Sequence, residues 1–153
     1  MNAAAPAVTP SATAVVVRRT IAAAPAELFD AWLDAEALAI WMRPDGIRHT
    51  SAKADARVGG RYEIIMQGDE KTYPHHGVYR VIDRPRRLVF TWISHGTEGC
   101  ETLVTVDFLP AGQRTEVVVT HEQLPEAARE SHTKGWTSGL GRLDDFGSRS
   151  AAS

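Results

Sequence analysis

At 153 residues and 16.7 kDa, the chain is long enough for one domain that buries roughly two thirds of its extended-chain surface. Hydrophobic residues make up 43% and charged residues 24%, with 17 Lys plus Arg against 19 Asp plus Glu. That near balance supplies no field to draw nucleic acid or an anionic membrane. The single cysteine, Cys100, excludes an intramolecular disulfide framework and suits a reducing compartment. The opening residues lack the basic start and apolar run of a secretory signal, and no segment has the length and apolarity of a bilayer span. The expectation is a cytoplasmic protein without membrane insertion.

The pattern predicts one domain over residues 12–146, a flexible leader over 1–11 rich in Ala, Pro, Ser and Thr, and a flexible tail of small residues over 147–153. Val15, Val16 and Val17 favour a first strand. Pro25 suits a first helical turn, and Leu28, Phe29 and Trp32 follow on one apolar face. Asp34 ends or resets this helix, and a second short one runs to Trp41 before Pro44 and Gly46 break it. From Gly59 onward the period becomes two. Tyr62, Ile64 and Met66 share one strand face, and Leu88, Phe90 and Trp92 share another. Turns at Gly68–Glu70, Asp83–Arg86 and Pro110–Gly112 separate at least five strands, an antiparallel meander. After Pro125 the period lengthens again. Trp136, Leu140, Leu143 and Phe146 make the buried face of a long C-terminal helix, in which Gly135, Gly139 and Gly141 imply close packing, a bend or fraying.

The stretch from Ala24 to Leu33, followed by Trp41 to Pro44, resembles the start of the START-like (SRPBCC) superfamily. Val58 to Tyr62, Gly77 to Trp92 and Thr115 to Leu143 narrow the resemblance to the branch related to the C-terminal domain of the heat-shock-protein ATPase activator. The resemblance implies an α+β helix-grip fold: a curved antiparallel sheet around a long C-terminal helix, with two short helices after the first strand. It also implies an internal cavity. Trp41, Tyr62, Ile64 and Met66 are candidate lining residues, joined by Tyr79, Phe90 and Trp92 from the next strands, His121 from the last, and Trp136 and Leu140 from the helix.

The expected occupant is a small hydrophobic or aromatic molecule, bound without conversion and without a cofactor. Trp and Tyr pack an apolar ligand while offering N–H or O–H groups. The resemblance also admits a chaperone partner, a homodimer and a small polyketide cyclase or hydrolase-like activity. His121 shares its strand parity with Val117 and Val119, so it enters the cavity if that face is inward. Glu98, Glu101 and Glu122 are the carboxylates a cyclase would draw on, with no pair at a compelling spacing. No metal site is expected: neighbouring His75 and His76 point to opposite strand faces, and His49, His95 and His132 complete no zinc spacing. Arg84, Arg86 and Arg87 form a basic turn that suits salt bridges better than nucleic acid.

Overall fold

β-Branched residues set the first strand. In the computed structural model, which describes residues 14–152 with side-chain surroundings as far as Gly147, β1 (Val15–Ile21) buries Val15, Val17 and Ile21 and turns Arg18 and Arg19 to solvent. The expected leader, residues 1–11, lies outside the described residues. Pro25 opens α1 (Pro25–Ala31), where its missing N–H leaves no intrahelical bond unmade. The Asp34 carboxylate then caps α2 (Ala35–Trp41) by accepting from the Ala37 N–H at 3.0 Å. Asp34 is therefore the reset point between the two short helices.

The remaining strands are β2 (His49–Ala54), β3 (Arg61–Gln67), β4 (Thr72–Asp83), β5 (Arg87–Ser94), β6 (Thr102–Ala111) and β7 (Arg114–Glu122). They form one antiparallel meander, and β1 joins its far side by pairing Val17 with Val119 of β7, so the order is β1-β7-β6-β5-β4-β3-β2. A 3-10 turn at Glu126–Ala128 leads into α3 (Arg129–Ala152), which lies along the concave face. α2 packs on β2, α1 on β6, and both touch α3. This is the helix-grip fold. Among the described residues no helix is long and apolar enough to cross a membrane.

One strand, β2, is absent from the sequence expectation, and two element boundaries differ from it. β2 has Thr50, Ala52 and Ala54 on its inner side, too small and polar to give an apolar alternation. β4 starts at Thr72 instead of Gly77 because Tyr73, Pro74 and His75 pair with Met66, Ile65 and Ile64, a register that overrides the weak strand preference of Pro-His-His. α3 continues past Phe146 to Ala152, and Gly147 is buried where a Cβ would stand 3.2 Å from Leu28.

Aromatic rings fill the centre. Trp32, at the end of α1, meets Trp41 at 4.7 Å, Trp136 at 5.8 Å and Phe90 at 6.1 Å between centroids. Tyr62 packs on Tyr79 at 5.4 Å and on Phe90 at 5.6 Å. The Tyr62 hydroxyl donates to the Thr91 carbonyl, and its ring lies over Gly77, its cross-strand partner. Gly77 is required there because a Cβ would fall 1.9 Å from the Thr91 carbonyl oxygen and 2.7 Å from the Tyr62 ring.

At the rim, the Arg84 guanidinium makes two hydrogen bonds to Asp30, at 2.7 and 2.8 Å, and Arg87 pairs with Asp107 at 2.7 Å. Arg86 pairs with Asp83 across the turn at 3.2 Å, so all three arginines of the basic turn stand in ion pairs. We expect Gly77→Ala to destabilise the fold by about 3 kcal/mol, the upper end of overpacking penalties. Urea unfolding checks this, and a wild-type midpoint would contradict the close β4–β5 approach.

Candidate functional site

The β7 parity question has a definite answer: Val117, Val119 and His121 face inward, all fully buried. His121 sits under α3 with both ring nitrogens engaged. Trp136 Nε1–H donates to Nδ1 at 2.9 Å, which fixes the proton of the neutral ring on Nε2. Nε2–H donates to Thr102 Oγ1 at 2.7 Å, and the Thr102 hydroxyl donates to the Trp92 carbonyl at 2.5 Å. This relay runs from α3 through β7 and β6 to β5. Burial pushes the His121 imidazole down to about 3, and the neighbouring His132 acts in the same direction. A second proton on the ring would also turn Nδ1 from acceptor to donor against Trp136.

Trp136, held in this way, forms one wall of a slot of about 180 Å³ between α3 and the sheet. Trp92 stands against it at 5.3 Å, and His75, also on the slot wall, packs on Trp92 at 4.9 Å with its ring tilted by 40°. Met66 from β3 and Met42 and Pro44 from the end of α2 complete the apolar side. The helix contributes Ser131, His132, Gly135, Gly139 and Arg142, spaced so that one stripe of α3 faces the slot. The His132 end adjoins an open groove of about 810 Å³ bounded by the Gly68–Tyr73 turn and the residues around His95. Pro44, Met66, His75 and His132 border both spaces.

Of the residues expected to line a cavity, Met66, Trp92 and Trp136 are on this wall. Trp41, Tyr62, Ile64, Tyr79, Phe90 and Leu140 lie in the packed core beneath or beside it. The space between Tyr62, Tyr79, Phe90 and Trp32 is only about 10 Å³, at the lower limit for one water. The expected internal cavity is thus filled at its deep end, and the usable space is displaced toward the mouth. His121 does not reach it; the ring is 0% exposed and acts through Trp136. Tyr79 is likewise buried, and loss of water around its phenol pushes its pKa up.

His75 points inward and His76 outward, as strand alternation requires. His75 places Nδ1 3.3 Å from the Ile64 carbonyl, and burial lowers its pKa. Glu101 pairs with Arg80 at 3.6 Å, Glu98 occupies a left-handed turn position, and neither these nor Glu122 borders the slot. Cys100 is exposed in the β5–β6 connection. Among the described residues, the slot has no carboxylate or cysteine on its wall.

The glycines of α3 are the feature that apolar patterning missed. Gly135 has nothing within 4 Å of where a Cβ would be, and at Gly139 the nearest atoms are at ordinary contact distances, 3.7 and 3.9 Å. Both could carry a methyl group, and both leave the slot open instead. Their spacing with His132 and Arg142, three, four and three residues, is the signal that was present in the sequence. Gly141, beside Arg19, lies off this wall and nothing in the structure explains it.

Three comparisons bear on this architecture. The family model described as Activator of Hsp90 ATPase homolog 1-like protein matches residues 22–147. A Rhodobacter sphaeroides protein of known structure is 26% identical, with a TM-score of 0.78 over 90% of this chain and 94% of that one. Protein CV1439 from Chromobacterium violaceum is 24% identical, with a TM-score of 0.74 over 87% and 96%. An HSP90 activator from Plasmodium falciparum is 22% identical, with a TM-score of 0.70 over 87% and 94%. No curated protein matches the sequence.

The His121 relay makes stability depend on pH. An unfolded histidine titrates near ~6.5, so between that value and about 3 the unfolded chain holds a proton that folded His121 does not. The stabilisation is complete above that window and is lost as pH falls through it, by up to about 1.4 kcal/mol per pH unit. His121→Gln removes this component. The stability gap between wild type and variant should narrow from pH 7 to pH 5 in urea unfolding; a constant gap would contradict a neutral buried His121.

Proposed function

The chain belongs to the Activator of Hsp90 ATPase homolog 1-like family, and we propose that it binds a small apolar or aromatic molecule, without converting it, in the slot between α3 and the sheet. The observation that carries this reading is the pair of helix-interior glycines, Gly135 and Gly139, beside open space. Each lowers helix stability by about 1 kcal/mol relative to Ala, and at neither does the backbone or a neighbour demand glycine. Two small residues on the face opposite Trp92 are what an aromatic guest needs to slide along the helix.

The volume sets the guest's size. A cavity of about 150 Å³ holds benzene, so about 180 Å³ accommodates one ring with substituents. A second fused ring extends into the adjoining groove past Met66 and His132. The packed Trp92–Trp136 pair favours an aromatic guest laid against it, through offset and edge contacts. Turnover is not part of this reading: His121, buried behind the slot, uses both ring nitrogens to hold the wall.

The family description alone supports a chaperone partner, and a single variant separates the two readings. Gly135→Leu fills the slot from a position with no steric neighbour. Calorimetric titration with 2-naphthamide, a neutral two-ring probe, should show at least about tenfold weaker binding to this variant, with a melting temperature equal to or above that of the wild type. Unchanged affinity in the folded variant, or no binding to the wild type, would contradict the slot as a binding site. A chaperone contact would survive the substitution.

A further inference from the structure

A cation stands at the far end of the slot from the groove. Arg142 is half-buried, and its hydrogen bonds run to uncharged oxygens: Nε donates to the Trp41 carbonyl at 2.8 Å, and Nη1 donates to the Ser138 hydroxyl. These two contacts fix the guanidinium across the end of α2, beside Met42 on the slot wall. Burial lowers its pKa, and the Asp45 charge acts in the opposite direction. A guanidinium partly stripped of water and held by neutral acceptors keeps unspent attraction for an anion.

The other polar groups along the slot are partly committed. His132 and His75 each place Nδ1 on a backbone carbonyl, Ala128 at 2.8 Å and Ile64 at 3.3 Å, which leaves one ring nitrogen apiece, and the Ser131 hydroxyl donates to the Ala128 carbonyl at 3.1 Å. The Trp92 indole N–H has no partner, but it is sealed from the slot as well as from solvent. Arg142 is therefore the charged group that a guest lying over Gly139 meets first, since the nearest Arg142 nitrogen is 3.7 Å from the point where a Gly139 Cβ would be.

Resting on the slot reading above, the geometry points to an aromatic carboxylate as the ligand class: a planar ring laid against the packed Trp92–Trp136 pair, over Gly135 and Gly139, with its carboxylate on the Arg142 guanidinium. The ring supplies apolar burial, and the carboxylate supplies the charge-assisted hydrogen bond that a neutral aromatic cannot make. His132 to Arg142 spans about 15 Å along the helix at 1.5 Å per residue, enough for one or two rings and the carboxyl group. The glycine stripe and the cation thus have complementary tasks on one helix face: the first makes room and the second sets orientation.

The test compares two probes of nearly the same shape, 2-naphthoate and 2-naphthamide, on the full chain by calorimetry. Wild type should bind the carboxylate at least about tenfold more tightly, and that preference should shrink as salt rises. Arg142→Gln should abolish the preference, so that both probes bind it with equal affinity, and Arg142→Lys should restore part of it. Equal affinity for the two probes in the wild type would overturn this inference while leaving the slot intact, and that comparison needs no variant to fold. A preference that survives in Arg142→Gln would overturn it as well. Failure of both probes to bind would overturn the slot reading and this inference with it.

Discussion

The hydrogen bond from Trp136 to His121 is the contact on which the site depends. It joins the long helix to the sheet at a buried point, and the His121–Thr102–Trp92 relay carries the constraint to the strand on the opposite wall. Each group has one role available. The indole can only donate, the neutral imidazole accepts on one nitrogen and donates on the other, and the threonine passes its proton to a carbonyl. Both aromatic walls are thereby held from behind: Trp136 by its indole bond and by stacking on Trp32, Trp92 through the carbonyl of its own residue. The slot that the two rings border is fixed in shape before a guest arrives. Such preorganisation lowers the ordering penalty of binding.

Around this contact the molecule divides into a packed end and an open end. Trp32, Trp41, Tyr62, Tyr79 and Phe90 fill the region that another sequence on this fold could leave empty, leaving about 10 Å³. Toward the mouth the side chains of α3 become small or polar, and the slot opens. Helix stability and open volume conflict at Gly135 and Gly139, where alanine would improve the first and reduce the second. Fold alone assigns no activity; the site is argued from where these particular residues leave room and where they leave charge.

The architecture was legible wherever an element carried its own period. Alternation on β3 and β5 put Tyr62, Ile64, Met66, Phe90 and Trp92 on the inner face, and all five are buried. The 3.6-residue spacing of Trp136, Leu140 and Leu143 gave the buried face of α3. β2 was not legible, because Thr50, Ala52 and Ala54 present too little apolar surface to mark a strand. The site was only partly legible for a related reason. Periodicity finds residues that fill space, so it selected Trp41, Tyr62 and Phe90, which close the interior. Empty space is written in glycines, and polar slot residues such as His132 and Arg142 register on an apolar pattern as the solvent face. His121 shows the remaining limit: parity places it inside, but only the positions of Trp136 and Thr102 reveal that both its nitrogens are used.

The chain's four tryptophans offer a direct reading of the central claim, because each indole N–H gives one resonance in a nitrogen-15 correlation spectrum. Trp92 and Trp136 line the slot, whereas Trp41 bonds to the Ala31 carbonyl at 2.9 Å inside the core. Titration with 2-naphthamide should shift the Trp92 and Trp136 signals together, along one saturating curve, and leave Trp41 in place. A titration that moves none of the four, or moves Trp41 as far as Trp92 and Trp136, would contradict a binding slot between the helix and the sheet.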